Sequence, residues 1–78
     1  MEIKVLGVGC PKCTRMYEAT LKAVALSGRK AQVKKVYDPA EIAEYGVFAF
    51  PAIAIDGEVM STGKLLAPEE IAQLLARG

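Results

Sequence analysis

Cys10 and Cys13 are the only two cysteines in a chain of 78 residues that contains no histidine. They lie in the segment GVGCPKC, residues 7–13, with two residues between them. Two thiols at this spacing can exchange with a disulfide, supply part of a metal site, or be two buried core residues. The residues around the pair favour the first use.

A thiolate, rather than a thiol, attacks disulfides and binds metals, so a reactive cysteine needs surroundings that stabilise the anion. Pro11 suits the first position of a helix, because no backbone amide partner is needed there. Cys10 would then cap the helix, where unpaired amides and the positive end of the helix dipole favour a thiolate, with a smaller contribution from Lys12. Cys13, about one turn inside the helix, would be sheltered and within disulfide reach of Cys10. We therefore predict that Cys10 attacks and Cys13 resolves.

Metal binding is the main alternative, since paired cysteines also hold soft metals. A closed structural zinc site needs four ligands, usually cysteine and histidine, and this chain has two cysteines and no histidine. We predict no such metal site and no cofactor. Capture of copper(I) or arsenite, which needs only a dithiol, stays open, as does a purely structural role for both cysteines.

Composition indicates a single globular domain spanning residues 1–78, because 53% of the residues are hydrophobic and the chain is too short for two cores. A formal net charge of +1 provides no broad attraction for nucleic acid or for an anionic membrane. The N-terminus has no apolar stretch typical of a secretory signal, and no apolar run is long enough to span a membrane. We expect a cytoplasmic protein, where a cysteine pair is more often reactive than a permanent cross-link.

Hydrophobic patterning predicts the element order β-α-β-α-β-β-α. Predicted strands cover residues 3–8, 31–37, 52–55 and 58–61; predicted helices begin at Pro11, Pro39 and Pro68, the first ending at Gly28 and the second before Gly46. Asp38 followed by Glu41 resembles a capping box, and Asp56-Gly57 predicts a hairpin turn. One face of the first helix is predicted to be buried; it contains Cys13, Met16, Tyr17, Thr20, Leu21, Ala23 and Val24.

Strands joined through a helix are parallel, whereas a hairpin joins antiparallel strands. The chain should therefore be an α/β protein with a four-stranded mixed sheet flanked by three helices. The third strand, AIAI, is apolar on both faces and should lie centrally, covered on both sides.

The segment GCPKC, together with FPAIAIDGEV some forty residues later, resembles the thioredoxin-like fold. Over essentially its full length the chain is similar to the small, glutaredoxin-sized redox-active disulfide proteins of archaea and bacteria. The resemblance implies a thiol-disulfide oxidoreductase that acts on disulfide-containing proteins as a monomer. The Gly-Gly-x-Asp segment with which glutaredoxins hold glutathione is not reproduced in STGKLLAPEE, which favours a thioredoxin-reductase-like protein as electron donor.

The resemblance also implies a cis peptide before Pro51, placed against the cysteine pair, and a backbone at Phe50 that pairs with an extended substrate segment. Gly9 would leave the attacking sulfur open to approach, and Pro11 and Lys12 would border the same surface. Met16, Tyr17 and Phe48 could line a substrate groove, although we expect ordinary core positions for all three.

Overall fold

The computed structural model describes residues 1–7 and 11–77. Across these residues the chain forms four strands and three helices in the predicted order. The elements are β1 (Glu2–Leu6), α1 (Pro11–Ser27), β2 (Gln32–Val36), α2 (Pro39–Glu44), β3 (Ala52–Ile55), β4 (Glu58–Thr62) and α3 (Pro68–Arg77). None of the helices within the described ranges is long and apolar enough to cross a membrane.

The sheet has the strand order β2-β1-β3-β4, so β1 and β3 lie in its centre. β1 is parallel to β2 and antiparallel to β3, and β3 is antiparallel to β4. The predicted α/β class and mixed four-stranded sheet are therefore confirmed. Together with its three helices, this sheet has the architecture that the family resemblance implies.

Alternating side chains on the two central strands build a hydrophobic cluster on each face of the sheet. One cluster lies between the sheet and helices α1 and α3, and the other lies beneath α2. The first contains Ile3, Val5, Met16, Ala23, Ile53, Ile55, Leu66, Ile71 and Leu75; the second contains Leu6, Val36, Ile42, Val47, Ala52 and Ala54. All four residues of β3 are buried, as predicted for a strand covered on both sides.

Local sequence signals fix the ends of the helices. The Asp38 side chain accepts a hydrogen bond of 3.0 Å from the backbone amide of Ala40, which confirms the predicted cap of α2. Glu41, predicted to complete a capping box, instead lies 3.9 Å from the ammonium of Lys4. Gly28 ends α1 with a φ of 69°, a conformation that costs glycine little.

The predicted hairpin turn joins β3 to β4. Asp56 and Gly57 both have positive φ, 50° and 86°, the signs that a tight two-residue hairpin turn requires. Asp56 also fastens this turn to the start of β1: its amide donates to the Glu2 carbonyl, and its carboxylate accepts from the Glu2 amide, each at 2.8 Å. The hairpin is thus anchored at the end of the sheet remote from Gly7.

Several details differ from the sequence prediction. β1 begins one residue earlier, at Glu2, and β4 extends one residue further, to Thr62. β1 ends at Leu6 rather than Val8, which lies outside the described residues, and β2 is one residue shorter at each end than predicted. Leu21 is 46% exposed, because the buried stripe of α1 follows Cys13, Met16, Thr20 and Ala23 and leaves Leu21 at its edge. The stripe includes a hydroxyl, and Thr20 satisfies it by donating to the Met16 carbonyl at 2.7 Å.

Ile53 is fully buried in the centre of β3, so its substitution should measure how much this cluster stabilises the protein. Ile53→Ala should lower the free energy of unfolding by about 2 to 5 kcal/mol, through lost burial and an unfilled cavity. Leu26→Ala is the control, because Leu26 is 64% exposed near the end of α1. Urea titration followed by circular dichroism gives both values, and equal losses would contradict the assigned core.

Candidate functional site

Strand register brings three loop segments together at one edge of the sheet. Leu6, the last residue of β1, is aligned with Val36 on β2 and with Ala52 on β3. Gly7, which follows Leu6, therefore lies between Tyr37, which follows β2, and Pro51, which precedes β3. Gly7 extends the pairing by donating its amide to the Val36 carbonyl at 2.9 Å. The N-terminal turn of α1 is at this edge too, because Cys13 lies against Gly7.

Cys13 is the third residue of α1 and is 8% exposed, as predicted for a sheltered thiol. It is held in a disulfide, and within the described ranges no cysteine is free. Cys10 and Gly9, both predicted to take part in the site, lie outside the described residues. The geometry of the attacking position therefore stays a prediction.

The backbone of Gly7 lies directly against the sulfur of Cys13. A methyl group built on Gly7 would collide with Cys13 Sγ and would lie 2.9 Å from Cys13 Cβ. A Cβ atom essentially never comes this close to another side chain in real proteins. Only glycine therefore fits here without movement of α1 or of β1. Gly7 is therefore a site residue on account of its missing side chain.

The loop before β3 forms the opposite side of the site. The peptide between Phe50 and Pro51 is cis, as the family resemblance implies, and Pro51 is fully buried. The Pro51 carbonyl accepts a hydrogen bond of 2.9 Å from the amide of Gly63, and a Cβ on Gly63 would come within 3.0 Å of the Ala49 Cβ. Phe50 is half-buried against the cluster beneath α2. These contacts hold the loop in place beside Gly7.

Exposure separates the remaining predicted residues. Pro11 and Lys12 are exposed in the first turn of α1, and that turn contains no acidic residue. Met16 is fully buried and Tyr17 half-buried, in line with core positions. Phe48 was expected in the core and that expectation is wrong: its side chain is 91% exposed, because Val47 rather than Phe48 turns into the cluster beneath α2.

A cavity of about 350 Å³ opens beside Cys13 on its β2 side. It is lined by Val5, Gly7, Cys13, Thr14, Lys35 and Tyr37, and we refer to it as the Cys13 cavity. Lys35 places its ammonium 4.5 Å from the centre of the Tyr17 ring, a cation–π contact. Cys13 forms part of its wall, so this cavity belongs to the candidate site.

A larger recess, about 720 Å³, lies on the opposite face of the sheet, beneath α2. Lys4 is its central cation: its ammonium donates to the Tyr45 hydroxyl at 3.0 Å and lies 3.7 Å from the Glu2 carboxylate. The hydrogen bond that Lys4 donates to Tyr45 raises the pKa of Lys4 above its ordinary value, against the lowering effect of burial. This recess is a shallow, charge-paired surface without a reactive group, so volume alone does not locate the site.

Sequence reasoning missed Gly7, Lys35 and Tyr37. A glycine inside the predicted first strand, six residues before Cys13, was the available signal for Gly7, because such a glycine often marks a close approach of another part of the chain. No signal in the sequence pointed to Lys35, because the face of β2 on which it lies is known only once the sheet is formed. Tyr37 gave no signal either: it was the last residue of the predicted strand and lies just beyond β2 in the structure.

Comparison with known proteins identifies the family of this chain. The sequence model described as a thioredoxin domain matches residues 1–76. The chain belongs to the thioredoxin domain family. A protein named thioredoxin from Methanocaldococcus jannaschii is 44% identical over 73 residues, which cover 94% of this chain and 84% of that protein. A second thioredoxin, from Methanothermobacter thermautotrophicus, is 33% identical over 76 residues, covering 97% of this chain and 99% of the relative.

The contact between Gly7 and Cys13 in this thioredoxin-domain protein can be tested directly by substitution. Gly7→Ala should destabilise the protein by about 1 to 3 kcal/mol, because the added methyl overpacks the space that the sulfur fills. The same substitution in a Cys13→Ala background should cost less, since the sulfur is gone. Urea unfolding of all four proteins under reducing conditions gives the coupling energy. A cost of Gly7→Ala that is the same in both backgrounds would show that the contact is unimportant.

Proposed function

We propose that this protein is a thiol-disulfide oxidoreductase in which Cys10 attacks a substrate disulfide and Cys13 resolves the product. Membership of the thioredoxin domain family supports disulfide exchange as the general activity. The observation that carries the proposal is the state of Cys13: it is held in a disulfide, almost fully buried, in the first turn of α1. Its proposed partner is Cys10, because the chain has no other cysteine.

The proposed reaction has two exchange steps. The Cys10 thiolate attacks one sulfur of the substrate disulfide, forming a mixed disulfide and expelling the other substrate sulfur as a thiolate. The Cys13 thiolate then attacks the Cys10 sulfur, which forms the Cys10–Cys13 disulfide and releases the second substrate thiolate. Two electrons pass from the dithiol to the substrate, and the protons of the two cysteines are balanced by those taken up by the substrate thiols.

Burial supports this division of roles. Cys13 is 8% exposed and its sulfur lies against Gly7, so a bulky external disulfide has little access to it. An intramolecular attack needs no such access, because the mixed disulfide at Cys10 would lie only three positions away along the chain. The sheltered thiol is therefore suited to the second step and not to the first.

The substrate is proposed to lie across the edge where the loops meet. The backbone of Phe50, beside the buried Pro51, would pair with an extended substrate segment, in keeping with the family resemblance. Gly9 would leave space for that segment, while Pro11 and Lys12 are exposed in the first turn of α1 and would border it. Disulfide-containing proteins are the proposed substrate class.

A completed cycle leaves the protein oxidised, so an electron donor must restore the dithiol. We propose a thioredoxin-reductase-like protein for this role and the cytoplasm as the setting, because a reducing compartment keeps such a donor supplied. One chain carries both cysteines that exchange requires, which supports a monomer as the working form.

Trapping tests the assignment of the two cysteines. Reduced Cys13→Ser protein, mixed with insulin, should accumulate a mixed disulfide through Cys10, because the resolving step is lost. Cys10→Ser is the matched control and should trap little, since Cys13 is buried. Non-reducing electrophoresis and intact mass measure the adduct, which dithiothreitol should release. Stronger trapping by Cys10→Ser would reverse the proposed roles.

The alternative of a copper(I) or arsenite carrier has a separate test. Among the described residues no three potential ligands of the kind that hold metal ions lie together, so this alternative depends on the two cysteines alone. Native mass spectrometry of the reduced protein with copper(I), zinc or arsenite should show no tight one-to-one complex. A stable complex that survives competition with dithiothreitol would favour the carrier.

A further inference from the structure

The lysines of β2 have different surroundings on the two faces of the sheet. Lys34 and Lys4, on the α2 side, lie 3.3 and 3.7 Å from the carboxylate of Glu2, and Lys4 is also 3.9 Å from Glu41. Lys35, on the α1 side, contacts the ring of Tyr17 instead, and no carboxylate of the described residues is within ion-pair distance of its ammonium. The positive charge beside Cys13 is therefore not neutralised by a described acidic group.

The first turn of α1, which supplies Cys13 to the Cys13 cavity, adds positive charge on the same side. The first turn of α1 contains Lys12 and no acidic residue, and the helix places the positive end of its dipole there. The remaining lining of the cavity adds a hydroxyl at Thr14, a phenol at Tyr37, and otherwise apolar surface at Val5 and Gly7. Tyr37 is 71% exposed, so the mouth of the cavity is open to a binding partner.

We propose, building on the proposed function, that the Cys13 cavity is a subsite for an acidic side chain next to the half-cystine of the substrate. Its volume of about 350 Å³ is at the lower end of ligand pockets, and accommodates one side chain rather than a cofactor. Val5 would contact the methylene groups, and the Lys35 ammonium would face the carboxylate, with Thr14 and Tyr37 able to donate hydrogen bonds.

The Cys13 cavity has Cys13 in its wall. Because exchange would bring the substrate disulfide next to this cysteine, the proposed occupant is a side chain of the substrate segment itself. A segment paired with Phe50 would approach Gly7 from the β3 side, whereas the cavity lies on the β2 side. The two contacts would thus bind the same segment on either side of the exchanging disulfide. The substrate class is narrowed to protein disulfides that are flanked by glutamate or aspartate.

Matched peptides test the subsite. We would measure reduction of cyclic peptide disulfides that carry glutamate, glutamine or lysine beside a half-cystine, before it in one series and after it in another. At low salt the wild-type protein should prefer the glutamate peptide to the glutamine peptide by about threefold to tenfold in kcat/KM in one series. The preference should decrease as salt is added, because screening weakens the attraction.

Charge substitutions on β2 then locate the preference. Lys35→Met should abolish the ratio between the glutamate and glutamine peptides, and Lys35→Glu should reverse it in favour of the lysine peptide. Lys34→Met is the matched control: it removes the same charge from the neighbouring position on the opposite face, and the ratio should stay as in the wild type. Parallel measurement of each peptide's own redox potential removes differences that originate in the substrate.

Three outcomes would overturn the subsite: no glutamate preference in either series, a ratio that Lys35→Met leaves intact, or a ratio that Lys34→Met abolishes equally. The second outcome, combined with slower reduction of all peptides, would show that Lys35 acts on Cys13 and not on the substrate. If no peptide is reduced by the wild type, the proposed function fails. Nuclear magnetic resonance shifts at Thr14 and Tyr37 with S-methylated glutamate and glutamine peptides then decide the subsite separately, and equal shifts would reject it.

Discussion

The close contact between the backbone of Gly7 and the sulfur of Cys13 is the constraint on which the rest of the site depends. It brings the first turn of α1 against the end of β1 with no room for a side chain between them. Once that distance is set, Met16 and Ala23, further along the same stripe, reach the cluster above β1 and β3. The candidate site and the hydrophobic core are therefore both positioned by the same close approach of α1 to β1.

The central strands β1 and β3 stabilise the packing of α1 on the sheet, because each contributes buried side chains to both faces. Ile53 and Ile55 on β3 fill the space beneath α1 and α3, while Ala52 and Ala54 face the short helix α2. The large isoleucines of β3 face the two longer helices, α1 and α3, whereas its small alanines face the short helix α2. The loop that carries Phe50 and Pro51 connects α2 with β3, so its position follows from the packing of both.

Local signals in the sequence were sufficient for the elements and for the sheltered position of Cys13. Prolines at helix starts, the Asp56-Gly57 turn and the uninterrupted apolar run of β3 each depend on neighbours in the chain, and each was predicted correctly. The exposure and direction of some individual side chains were harder to predict from the sequence. The exposure of Phe48 depends on how the chain packs beneath α2, and the direction of Lys35 depends on the pairing of β2 with β1. The type of a residue alone does not reveal such contacts.

The exposed position of β2 has a consequence for how other polypeptides meet this protein. β2 is an outer strand of the sheet, with one row of backbone groups not paired within it, and such an edge can recruit a further strand from another molecule. Lys34 and Lys35, at its centre, point to opposite faces of the sheet. A charged side chain on each face therefore disfavours the addition of another strand. An outer strand protected in this way can lie beside another polypeptide without adding that backbone permanently to the sheet.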